Sequence, residues 1–169
     1  TFGTEPFVLP GTLTYPKGDG PHPVVILVHG SGPNDRDETI GPNKTFKDLA
    51  WGLASQGFAV LRYDKRTKVH SQAMAALKDM TVKEEVLDDV VEAANFLRQT
   101  EGINTDKIFV IGHSLGATLI PRIAAQDEKL AGVIAMAPLG RTLEDTMVEQ
   151  IEYIFALDGL SKEDEEKIA

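Results

Sequence analysis

Cysteine is absent from the 169 residues, which excludes disulfides, thiolate metal sites and a cysteine nucleophile within them. Histidine is scarce. His22, His29, His70 and His113 are the four, too scattered to suggest a metal cluster. Positive charge is short as well, with 17 Lys and Arg against 26 Asp and Glu and a formal net charge of −9. Phosphate binding needs clustered cations, so no nucleic-acid partner is expected. Long apolar runs are missing: "VVILV", Val24 to Val28, is strand length, far below the ~18 to 20 residues of a membrane span. No membrane partner, no metal site and no cofactor are therefore expected. What remains, 42% hydrophobic residues, is enough for one domain with a substantial core.

Thr1 to Gly20 alternates weakly and is broken by prolines, so "PFVLPGTLTYP" predicts a short strand pair at a sheet edge. Val24 to Val28 predicts a strand buried on both faces. "HGSGPNDRDETIGPNK" reads as a long polar loop, followed by a helix that Thr45 would cap and Gly57 would end. "FAVLRYD" is a second buried strand. Val82, Val86, Val90, Ala94 and Leu97 then mark an amphipathic helix from Thr81 to Thr100, with Glu84, Glu85, Asp88 and Asp89 mostly outward. "KIFVIG" is a third strand, "SLGATLIPRIAAQ" a third helix kinked at Pro121, and "AGVIAMA" a fourth strand. This alternation predicts an α/β fold, a mostly parallel sheet with helices on both faces. After Pro138 the chain reads as charged helix, with a break at "LDGLSKED" where Ser161 would cap the last piece.

The informative stretch is "IFVIGHSLGATLI", Ile108 to Ile120. It sets a G-x-S-x-G pattern between a buried strand and a helix, the context that makes the pattern specific for a nucleophile elbow. Ser114 would be the nucleophile. Gly112 and Gly116 leave room for close chain approach, and His113 is the intervening residue with a packing role. The N–H of Leu115 would face the substrate oxygen near a helix N-terminus. "HGSG", His29 to Gly32, follows the first buried strand, where such a fold places the other half of an oxyanion hole. Gly30 and Gly32 free the backbone to turn its N–H groups inward. Ser31 N–H is the chosen donor, with Gly32 the near alternative and His29 fixing the loop.

"VVILVHGSGPNDRDETIG", "LASQGFAVLRYDKR" and "IFVIGHSLGA" together resemble the α/β-hydrolase superfamily. The likeness is to bacterial esterases and dienelactone-hydrolase-like or prolyl-oligopeptidase-like serine hydrolases, and it covers roughly Val24 to Pro138. It implies Ser114 as nucleophile, with Leu115 and Ser31 as oxyanion donors. "YDKR", Tyr63 to Arg66, matches the superfamily's D-x-R, read as structural, with Asp64 and Arg66 forming a self-neutralising pair beside the elbow. Residues 1–141 would be the N-terminal part of the hydrolase core and 142–169 the start of a helical cap.

In this fold the triad order is Ser, then Asp or Glu, then His, and no histidine follows His113. His70 is the only one expected on a mobile loop near the active edge, as a solvated or substrate-facing residue and not as a base. The expectation is thus a fold truncated after its fourth parallel strand. A complementary C-terminal segment, or a neighbouring copy, would complete the sheet and supply the acid and base, and the chain alone would be inactive or nearly so. The substrate expected is a small ester. A serine peptidase of prolyl-oligopeptidase type and a non-catalytic binding module on a hydrolase scaffold are the alternatives.

Overall fold

In the computed structural model, which describes residues 1–158, four apolar runs that alternate with helices lie side by side as neighbouring strands. β2 (His22–Val28) and β5 (Ala59–Tyr63) pair in parallel, as do β2 and β6 (Ile103–His113), and β6 and β7 (Gly132–Met136). β1 (Gly11–Thr14) runs antiparallel to β5, so the five-stranded sheet has the order β1-β5-β2-β6-β7. The central strands are buried on both faces: Val24, Ile26, Leu27, Ala59, Val60, Ile108 and Val110 are fully buried, as expected of strands covered on both sides. One apolar cluster packs Ile26, Leu61 and Val110 against Val90, Ala94 and Leu97. The other, on the opposite face, packs Val25, Leu27 and Val60 against Phe46 and Ala50.

The four parallel strands and the edge position of the N-terminal segment match the sequence reading, but several local expectations change. β1 finds its partner in β5, and the N-terminal segment contributes only an isolated Phe2–Leu9 bridge besides. The polar loop contains a small hairpin of β3 (Thr39–Ile40) and β4 (Asn43–Lys44). Thr45 is the first residue of α1 (Thr45–Ser55), not its cap; Lys44 holds that position without a side-chain hydrogen bond. Gly57, at φ +93°, does end the turn after the helix. The third helix is two pieces, α5 (Leu115–Thr118) and α6 (Ile120–Gln126), with Pro121 in the first turn of the second, where its missing N–H costs nothing.

Two short helices, α2 (Arg66–Val69) and α3 (Ser71–Ala75), follow β5. The amphipathic helix begins as a π-turn, Lys83–Leu87, and continues as α4 (Asp88–Arg98). Of its acidic residues, Asp89 is not outward: it is 2% exposed. Its place in the sequence explains this, because position 89 lies three residues after Val86 and four before Ala93, on the apolar stripe itself.

The chain divides into two compact units, Thr1–Pro138 and Leu139–Ala169. The second contains α7 (Leu143–Asp158), started by the Thr142 hydroxyl, which accepts the Asp145 N–H at 3.2 Å. Arg141 and Glu149 form an ion pair at 2.7 Å within it. The break at "LDGLSKED" and the Ser161 cap lie outside the described residues.

Candidate active site

Val28 of β2 stands in register with Gly112 of β6, so the chain leaves both strands side by side at their carboxyl ends. That register is why the His29–Gly32 loop meets the turn at Ser114. Ser114 takes φ +52°, ψ −112°, a backbone region that L-residues avoid and that costs roughly 1 to 3 kcal/mol. Both flanking glycines are demanded by geometry. A Cβ on Gly112 would run into the Gly116 backbone carbonyl, and one on Gly116 would lie 2.5 Å from the Val28 carbonyl oxygen and 2.7 Å from that of His29. Gly116 N–H donates to His29 C=O at 3.1 Å, locking turn and loop together, and Ser114 N–H donates to Met136 C=O at 3.0 Å. A Cβ placed on Gly30 would sit 3.2 Å from Ser114 Cβ and 3.6 Å from its Oγ. The loop thus passes close to the serine, leaving little room there for a side chain at position 30.

The loop owes its shape to buried polar groups. His29 is 1% exposed, packed between the rings of Phe46 and Tyr63, with its Nε2 3.0 Å from Asp35 C=O. Burial, reinforced by the nearby Lys65 charge, lowers its pKa to about 4, so the imidazole is neutral at pH 7 and Nε2 carries the donated proton. Glu38, 2% exposed, accepts the Gly30 N–H at 2.8 Å. Its second oxygen lies 2.9 Å from His113 Nδ1, near enough for an ion pair with a protonated ring but out of line for a hydrogen bond. The Asn34 amide donates to Ser31 C=O at 2.9 Å and to Gly30 C=O at 3.2 Å. Ser31 N–H, Gly32 N–H and Leu115 N–H have no hydrogen-bond partner among the described residues, and neither has Ser114 Oγ.

Asp64 and Arg66 do not pair with each other, contrary to the sequence reading. Asp64 is clamped by Arg36, whose Nη2 and Nε donate to its two oxygens at 2.7 and 3.1 Å and whose backbone N–H adds a third bond at 2.8 Å. Burial would raise the Asp64 carboxyl, but the Arg36 hydrogen bonds outweigh it and hold the group below its ordinary value. Arg66 instead reaches the buried Asp89 through Nε at 2.9 Å and through Nη2. Both pairs do brace structure around the loop, but Arg66 opens α2 instead of continuing the strand, so its side chain meets a different partner from that of Asp64. Burial pushes the Asp89 carboxyl up to about 6 despite Arg66. Lys65 lies between them, 2% exposed, bonded to Gly30 C=O at 2.9 Å and to Glu85 at 2.5 Å.

None of the four histidines is engaged with Ser114 Oγ. His70 lies between α2 and α3, not on a mobile loop, with Nε2 2.9 Å from Val8 C=O and its ring edge-on to Phe7. His22 opens β2 against the Tyr15 ring, at the amino end of the strand. Sequence reasoning missed Glu38, Arg36, Lys65 and Glu85. The charge run "NDRDE" between a buried strand and a helix was the available signal, since a solvated loop has no need of paired charges. The assembled geometry, a hydroxyl on a strained turn beside unpartnered N–H groups, is suited to attack on a carbonyl and to holding the resulting oxyanion.

Esterase EstD of Thermotoga maritima is 50% identical over 160 residues, which are 95% of this chain and 37% of that protein. The solved 2,6-dihydroxy-pseudo-oxynicotine hydrolase superposes with a TM-score of 0.66 at 21% identity, covering 95% of this chain and 42% of the other. Est1E from Butyrivibrio proteoclasticus gives a TM-score of 0.62 at 19% identity, over 89% of this chain and 53% of its own. The two structural likenesses show the α/β-hydrolase fold, and this chain spans about two fifths to half of the proteins it resembles. The profile of the Hydrolase_4 family, described as serine aminopeptidase S33, matches residues 19–156. With most of its length so matched, the chain belongs to that family of α/β hydrolases.

Proposed function

We propose that these residues supply the nucleophile and oxyanion hole of a serine esterase acting on small carboxylic esters through an acyl-enzyme. Ser114 Oγ bonds to the ester carbonyl carbon, the carbonyl electron pair moves onto oxygen, and the Ser31 and Leu115 N–H groups receive it. Collapse expels the alcohol and leaves Ser114 acylated; water then repeats the sequence and releases the acid. The observation that carries this reading is Ser114 at φ +52° beside the Ser31 and Leu115 N–H groups, which have no partner among the described residues. The proton of Ser114 passes to a base from a complementary C-terminal segment or a neighbouring copy, which also completes the sheet beyond β7, because no histidine ring described here is bonded to Ser114 Oγ.

Ester substrates are preferred because the relative at 50% identity is named an esterase. The family's description as a serine aminopeptidase favours a second reading, a peptidase using the same acyl-enzyme with an amine leaving group. In the full-length protein a fluorophosphonate probe should label Ser114, and Ser114→Ala should abolish both labelling and hydrolysis of p-nitrophenyl acetate. Faster turnover of an aminoacyl p-nitroanilide than of the ester would reverse the preference. No labelling at all would leave a binding module on a hydrolase scaffold. The 169-residue chain alone should hydrolyse the ester slower by a factor on the order of 10³ to 10⁶.

A further inference from the structure

The proposed chemistry asks the Ser31 N–H to hold a developing negative charge, and the carbonyl of that same peptide unit belongs to Gly30. This carbonyl is not left to solvent. Lys65 Nζ donates to it at 2.9 Å from a buried position at the end of β5, and the Asn34 amide adds a second bond at 3.2 Å. The ammonium is held in turn by Glu85 Oε1 at 2.5 Å, on the π-turn that precedes α4. In a trans peptide the C=O and N–H point in opposite directions. A cation bonded to the Gly30 oxygen therefore turns the Ser31 N–H away from Lys65 and withdraws electron density from its nitrogen, since bonds in series polarise one another. The preceding peptide is pinned as well, with Gly30 N–H taken up by Glu38 at 2.8 Å. Gly30 N–H is thereby removed from the set of available donors.

We propose that Lys65, held by Glu85, is the positioning residue of the oxyanion hole: its ammonium fixes and polarises the Gly30–Ser31 peptide so that Ser31 N–H is aimed before substrate arrives. This inference rests on the reading of Ser114 as nucleophile. Lys65 touches no substrate and acts through the peptide alone. A lysine that only braced β5 against the π-turn would affect stability without discriminating between ground state and transition state.

The test uses the full-length protein with Lys65→Met/Glu85→Gln, which leaves no carboxylate unpaired, and with Lys65→Arg and Lys65→Gln. Should the double variant fail to fold, Lys65→Gln, which keeps a donor without the charge, makes the same comparison. The readouts are kcat and KM for p-nitrophenyl acetate, Ki for a trifluoromethyl ketone that forms a tetrahedral adduct, and the urea midpoint. Loss of the charge should lower kcat about 10- to 100-fold, less than deleting a donor outright, with KM within about twofold. Ki should rise by the same factor as kcat/KM falls, and Lys65→Arg should recover most of the activity. An unchanged kcat and Ki in a folded, charge-free variant overturns the role of Lys65 while leaving Ser114 as nucleophile. Failure of the fluorophosphonate to label Ser114 in the native protein overturns both.

Discussion

His29 shows how one residue can tie loop geometry to pH. Its ring is sealed between Phe46 and Tyr63, and charging it there would place a cation against Lys65 without water. The folded-state pKa of about 4 lies below the ordinary histidine value of 6.5, so the unfolded chain binds the extra proton first. Its contribution to stability is complete above pH 6.5 and is lost as pH falls toward 4. The slope is about 1.4 kcal/mol per pH unit, roughly 3 kcal/mol in all. Asp89, raised to about 6, works the other way: its contribution is present at low pH and lost as pH rises through the same window. The whole-protein curve therefore understates the histidine. Comparing native protein with His29→Gln by urea denaturation between pH 7 and 4 isolates it. The native advantage should shrink by about 3 kcal/mol on acidification, and a constant difference would show that His29 charges freely in the fold. None of this was visible in "VVILVHG", where a histidine at a strand end is equally consistent with a solvated ring.

At the level of elements, the π-turn and α4 hold the end of β5 through two ion pairs, Lys65–Glu85 and Arg66–Asp89. Removing one partner of a buried pair strands a charge, at a cost of about 3 to 5 kcal/mol, whereas replacing both with apolar groups is often neutral. Arg66→Met should accordingly lower the urea-derived stability by that amount, and Arg66→Met with Asp89→Leu should recover most of it. Equal losses in the single and double variants would sink the account. The strands and the strained turn at Ser114 were legible in the sequence because burial writes the first as unbroken apolar runs and close chain approach writes the second as obligatory glycines. The pairings were not, since a D-x-R motif says nothing of which distant strand end or helix face each side chain will meet. Asp89, read from the sequence as outward, lies at helical spacing from Val86 and Ala93 and is buried, a position that its Arg66 partner makes tolerable.

For the molecule as a whole, β7 is the outermost strand on its side of the sheet among the described residues, and its Val133 and Ile134 are 37% and 53% exposed. An apolar edge with unpaired backbone groups pairs with whatever strand reaches it. A polypeptide of these 169 residues should therefore self-associate, with sedimentation that depends on concentration, and Ile134→Lys should shift it toward monomer. Sedimentation of the native sequence as a monomer at every concentration would refute this. The ladder between β2 and β6 has one more consequence. The loop bearing Ser31 and the turn bearing Leu115 spring from adjacent parallel strands, whose separation of ~4.8 Å is a constant of backbone hydrogen bonding. The sheet thus acts as a ruler for the proposed carbonyl-binding notch, one that side-chain substitution cannot rescale. Any divergence in substrate preference among proteins built on this frame has to arise in the walls around the notch, because its width is inherited from the peptide bond itself.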